Sequence, residues 1–89
     1  MEFNKFDYYL GEALYQARVS KHMTQGDMAD LISIKLKENG RKNGITRQAY
    51  SFYEKGQRSM SMEMFTYACE VLGLDRNKVF NEACDYIKM

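Results

Sequence analysis

Apolar residues recur along this chain at helical intervals. Phe6, Leu10, Leu14 and Ala17, with Ala13 beside them, predict a first helix from about Phe6 to Lys21. Its basic end, Lys21-His22, suits the negative pole of a helix dipole. Thr24 is placed to cap a second helix, TQGDMADLI. Its hydroxyl can accept from an orphan amide, and Asp27 stands three residues on, where a capping box prefers Glu or Gln. Met28, Leu31 and Ile32 form the stripe of this helix, and Met23 and Met28 flank the cap as a hydrophobic staple does.

After Ile32 the period weakens. Leu36 extends the stripe by one turn, to about Lys37, but Asn39-Gly40 and Asn43-Gly44 are turn dipeptides. The stretch around these turns is therefore expected as a loop, with a short β-hairpin that uses ISIKL as one arm as the less favoured alternative. A third helix is expected from its cap Thr46 to the terminating Gly56. Tyr50 and Tyr53 mark its inner face; Arg47, Gln48, Ser51, Phe52 and Lys55 lie on the other. Ser61 caps a fourth helix, with Met64, Phe65, Ala68, Cys69 and Leu72 inward and Gly73 at its end. Asp75 caps a fifth, at 76–88, with Val79, Phe80, Ala83 and Ile87 on one face. The expected fold class is all-α, a five-helix bundle with a basic loop between helices two and three.

The 89 residues suit one domain, 1–89, and 45% hydrophobic content suffices for a core. No apolar run reaches the ~20 residues of a membrane span, and MEFNKFDYYL lacks a signal-peptide layout. A cytoplasmic protein is expected. Cys69 and Cys84 have neither zinc nor CxxC spacing and read as two buried free thiols. His22 has no ligating neighbours in sequence. No catalytic arrangement, phosphate loop, metal set, cofactor or small-molecule site is expected, so the chain does not read as an enzyme. Net charge is only +1, but residues 33–58 carry seven basic and two acidic side chains, and both flanks are net acidic. Such a basic middle suggests an anion-binding surface.

Two short helices, the second opening Thr-Arg-Gln and closing Glu-Lys-Gly, make a candidate helix-turn-helix. In that motif the second helix offers its N-terminal residues to base edges in the DNA major groove. Over residues 10–80 the chain resembles the Xre/Cro-type helix-turn-helix domain of phage repressors and many bacterial regulators. The matching residues are Arg18, Met23-Thr24-Gln25, Met28-Ala29, Ile32, Gly44-Ile45-Thr46, Tyr50, Tyr53-Glu54-Lys55-Gly56, Arg58 and Leu72-Gly73-Leu74.

The resemblance implies a phage-repressor-type bundle. It also implies a small Ala29 at the helix crossing, Ile45 as a core plug, Gly44 in a left-handed turn and a partly buried ion pair between Arg18 and Glu54. It implies base contacts from Arg47, Gln48, Ser51 and Phe52, and backbone contacts from Thr24, Gln25, Thr46, Lys55 and Arg58. Residues 33–43 depart from the family's tight turn; Lys35, Lys37, Arg41 and Lys42 there would form a phosphate-contacting arm. The implied partner is double-stranded DNA with a two-fold operator, bound by a homodimer formed through Phe80, Cys84, Tyr86, Ile87 and Met89. Packing of that helix inside the molecule, against Phe3, Phe6 and Tyr9, is the alternative. A different function remains open: a protein-binding module, antitoxin- or inhibitor-like, with weak or lost DNA binding.

Overall fold

A computed structural model of the chain describes residues 4–88. It contains α1 (Lys5–Ser20), α2 (Gln25–Glu38), α3 (Arg47–Glu54), α4 (Met62–Leu72) and α5 (Arg76–Lys88), with no strand among the described residues. The caps explain most boundaries. Thr24 and Asp27 exchange both hydrogen bonds of a capping box at the start of α2. Thr46 accepts from the Ala49 amide, Ser61 from Met64, and Asp75 from Lys78. Gly73 ends α4 in the left-handed conformation, at φ 68°. His22, also left-handed at φ 58°, turns the chain out of α1.

The core gathers one stripe from each helix: Leu10 and Leu14 of α1, Met28, Ile32 and Leu36 of α2, Tyr50 of α3, Phe65, Cys69 and Leu72 of α4, and Val79 and Ala83 of α5. Met23 and Ile45 pack at its edge, just before the starts of α2 and α3. α5 lies along α1. Phe6 meets Phe80 edge-to-face at 5.5 Å, Tyr9 meets Tyr86 at 5.2 Å, and the Tyr9 hydroxyl donates to Glu82 at 3.2 Å. Phe80 and Tyr86, expected on a self-association surface, are thus engaged within the molecule. Ile87 is exposed and Cys84 half-buried. Phe3 and Met89 lie outside the described residues.

The extension of helix two to about Lys37 holds, since α2 ends at Glu38. Four expectations need correction. Of the eleven residues 33–43 expected as an inserted loop, 33–38 are helix, because Leu36 is buried and keeps the α2 stripe in register, and no hairpin forms among the described residues. The connection proper is residues 39–46. Leu31, assigned to the inward stripe, is 41% exposed, since the buried line runs through Met28, Ala29, Ile32 and Leu36. Gly44 is not left-handed; that conformation belongs to Gly40, Gly56 and Gly73. Cys84, expected as the second of two buried thiols, is only half-buried, since the buried face of α5 runs through Val79 and Ala83; Cys69 is fully buried. No described helix is long and apolar enough to cross a membrane.

Candidate nucleic-acid interface

α2 and α3 form a helix-turn-helix, and α1 fixes where α3 sits. Gly11 carries no side chain where the backbone carbonyls of Tyr53 and Glu54 meet α1; a Cβ there would lie 2.6 Å from the Tyr53 oxygen and closer still to that of Glu54. Gly56, at φ 73°, similarly faces the Tyr8 backbone. The end of α3 is therefore seated directly on the backbone of α1. Sequence reasoning missed Gly11. Its signal was a glycine between two stripe residues of a helix, where the conformational cost needs a packing reason.

A polar junction then ties three helices. Arg18 Nε and Nη2 donate to the two Glu54 oxygens at 2.8 and 2.9 Å, and Nη1 donates to the Met23 carbonyl at 2.7 Å. Gln25 Nε2 donates to Glu54 Oε1 at 3.1 Å. The two charged side chains are 12% and 3% exposed. Hydrogen bonding to Glu54 holds the Arg18 pKa above the usual arginine value, against the opposing effect of burial. Tyr15 supplies its ring beneath the guanidinium, 5.5 Å away. The Tyr50 hydroxyl is buried without a well-formed hydrogen bond, and burial, followed by the Glu54 charge, raises its pKa. Gln25, expected to reach toward a phosphate, has its amide turned inward here as a third ligand of Glu54.

With Tyr50 and Glu54 inward, α3 turns Arg47 and Gln48 to solvent, with Ser51 and Phe52 half-buried beside them and Lys55 exposed at the end. Arg58, on the segment after α3, lies over the Phe52 ring at 4.8 Å. Thr46, Gln48, Ala49, Phe52 and Arg58 line one shallow polar depression of about 190 Å³.

The basic segment is less free than its composition suggested. Lys35 pairs with Glu70 of α4 at 3.0 Å, and Arg41 Nε donates to Glu63 of α4 at 3.0 Å. Bonding to Arg41, then to Tyr67, lowers the Glu63 pKa. Lys37 and Lys42 are exposed and form no ion pair among the described residues. Those residues also contain no group of three metal-ligating side chains.

The chain is similar in fold to the clp gene regulator ClgR from Corynebacterium glutamicum. The match has a TM-score of 0.71 at 24% sequence identity and covers 90% of this chain and 73% of ClgR. No protein-family model and no curated protein sequence matches the chain.

The likeness to ClgR extends over a chain whose α2–α3 connection is long, and the structure shows how that length is absorbed. Ser33 Oγ accepts from the Ile45 amide at 2.9 Å and donates to the Ile45 carbonyl at 3.2 Å. Gly44 backs onto Ser33 so closely that a Cβ would lie 2.5 Å from the Ser33 Cβ. The chain leaves the motif at Ser33 and rejoins it beside the same residue.

Proposed function

We propose that this chain is a sequence-specific double-stranded-DNA-binding regulator of the Xre/Cro type, with α3 in the major groove. The observation that carries the reading is the outer face of α3. It leaves Arg47 and Gln48 exposed at the N-terminal end of the second helix of a helix-turn-helix, while Tyr50 and Glu54 anchor the opposite face. Arginine suits the O6 and N7 acceptors of guanine, and glutamine the N6 and N7 of adenine. Ser51 adjoins them. Thr24 and Thr46, at the starts of α2 and α3, and Lys55 at the far end, are placed to meet phosphates, with Gln25 offering its backbone amide at the α2 N-terminus while its side chain stays on Glu54. The fold shared with a gene regulator agrees with this assignment. The protein acts in the cytoplasm as a homodimer on a two-fold operator, with half-sites one helical turn, about 34–36 Å, apart.

Selection of bound duplexes from a random pool tests the reading, because a palindrome reports both specificity and dimer symmetry. Arg47→Ala or Gln48→Ala relaxes preference at one base pair by roughly 1–3 kcal/mol, whereas Lys55→Ala weakens every sequence alike. A uniform loss on Arg47→Ala refutes the base-reading role.

The engagement of Lys35 and Arg41 by α4 acids favours a second reading, a protein-binding module with weak DNA affinity. Titration against random DNA at two salt concentrations separates the two: absent or salt-insensitive binding rejects the DNA reading.

A further inference from the structure

Phe52 stands on the outer face of α3, one turn after Gln48, where a groove-facing helix would ordinarily offer a polar group. It is half-buried although no core residue covers that face. Arg58 lies over it, with its guanidinium carbon 4.8 Å from the ring centroid. An exposed arginine on a short irregular segment has many rotamers. A cation–π stack is attractive even at exposed sites, enough to bias those rotamers toward one direction. That direction brings Arg58 to the same depression that Gln48 and Thr46 line. Arg58 makes no ion pair and no side-chain hydrogen bond among the described residues, so its N–H donors remain available.

Resting on the reading of α3 as the groove helix, we infer that Arg58 is a base-reading residue and that Phe52 is its positioning residue. The stack carries Arg58 over the α3 face that carries Gln48, into the depression that both line. The guanidinium fork then meets the O6 and N7 acceptors of a guanine next to the base met by Gln48. Phe52 itself contributes no direct readout. The stack places an arginine donor set on α3 from outside the helix, so the reading surface is wider than an eight-residue helix provides.

The experiment compares the wild-type chain with Arg58→Ala, Phe52→Leu, Phe52→Tyr and Lys55→Ala. Each is taken through duplex selection and titrated on the selected sequence and its single-base variants at two salt concentrations. Arg58→Ala is expected to reduce discrimination about ten- to hundred-fold at one guanine-containing base pair. Phe52→Leu reduces it at the same pair, Phe52→Tyr restores it by keeping an aromatic platform, and the double variant Arg58→Ala/Phe52→Leu is no worse than Arg58→Ala. Lys55→Ala weakens all sequences equally. If Arg58→Ala also weakens all sequences equally, with a flatter salt dependence, Arg58 is a backbone contact and the inference fails. If Phe52→Leu relaxes a different base pair, Phe52 reads DNA directly and the inference also fails. A wild-type chain that selects no sequence rejects the DNA reading itself, an outcome distinct from both.

Discussion

Removing one side of the Arg18–Glu54 pair tests whether it is the fastener of the motif or a solvated accessory. Glu54→Leu leaves Arg18 Nε, Arg18 Nη2 and Gln25 Nε2 without their acceptor, while the Arg18–Met23 hydrogen bond survives. Arg18→Met leaves the Glu54 carboxylate, 3% exposed, with only the Gln25 amide. Breaking a buried pair from one side costs ~3–5 kcal/mol, since the stranded charge is the expense. Arg18 keeps 12% exposure and one strong bond, so Glu54→Leu belongs at about 3 kcal/mol and Arg18→Met nearer 5. A domain of this size has ~4–13 kcal/mol in total, and 3 kcal/mol corresponds to a Tm lower by about 12–24 °C. The double variant removes both charges and both desolvation penalties, so it costs less than Arg18→Met alone. Urea denaturation followed by circular dichroism on the four proteins closes the cycle. Single losses below about 1 kcal/mol, or a double loss equal to their sum, would refute the reasoning.

Gly11→Ala adds the better helix former yet destabilises, toward the upper end of the ~1–3 kcal/mol typical of overpacking, because its Cβ meets the Tyr53 and Glu54 carbonyls. A neutral urea midpoint would show that α1 and α3 can separate freely. Alkaline stability follows from two raised pKa values. Burial lifts the Cys69 thiol from 9.0 to about 11, and burial with the Glu54 charge lifts the Tyr50 hydroxyl well above its ordinary 10.0. Above pH 9 the unfolded thiol, and above pH 10 the unfolded phenol, lose protons that the folded state keeps. Stability therefore falls with rising pH by ~1.4 kcal/mol per unit for each group. Urea midpoints at pH 8, 9.5 and 10.5 should decline in order, and Cys69→Ala should delay the onset to about pH 10; a flat profile contradicts this. Glu63→Gln with Glu70→Gln leaves the melting curve nearly unchanged, because both pairs are solvated. It frees Lys35 and Arg41, so log–log salt dependence of DNA binding steepens by ~0.9 for each phosphate they reach. An unchanged slope would mean that the segment stays away from DNA.

Helix starts were the most legible part of the chain. Thr24, Thr46, Ser61 and Asp75 each cap the helix expected of them, because capping is a local exchange between a side chain and amides two or three residues on. The inward line of α4 was legible for a related reason: Met64, Phe65, Ala68, Cys69 and Leu72 are large or dense enough to leave one reading. The end of α2 was legible to within a residue, because Leu36 carries the stripe on and Asn39-Gly40 stops it. The inward face of α2 was less so, and Leu31 was misplaced. A three-residue apolar cluster permits more than one helix face, and tertiary packing selected the one through Ala29 and Ile32. Gly11 and the Phe52–Arg58 stack depend on chain segments that meet only after folding, so no periodicity encodes them.

Gly44 shows how a long connection coexists with the geometry of the motif. Its requirement is closeness rather than handedness. The Ser33 side chain occupies the space a Cβ would need, while its hydroxyl closes both polar groups of Ile45. The residues between therefore form a loop whose ends are pinned to each other. Closing a loop costs entropy that grows only with the logarithm of its length, and with 33–38 already helical the irregular part is only residues 39–46, so the connection adds little beyond what a shorter turn would require. The last turns of α2 stiffen the outgoing limb, and the Lys35–Glu70 and Arg41–Glu63 pairs lay both limbs on α4. Since the ends meet, the length between them does not bear on how α3 crosses α2. Gly44→Ala would break this closure, and Ser33→Gly would make room for the added Cβ in that background. If Gly44→Ala alone left stability unchanged, α3 would have to be held by the Arg18–Glu54 junction and Gly11 without help from the connection.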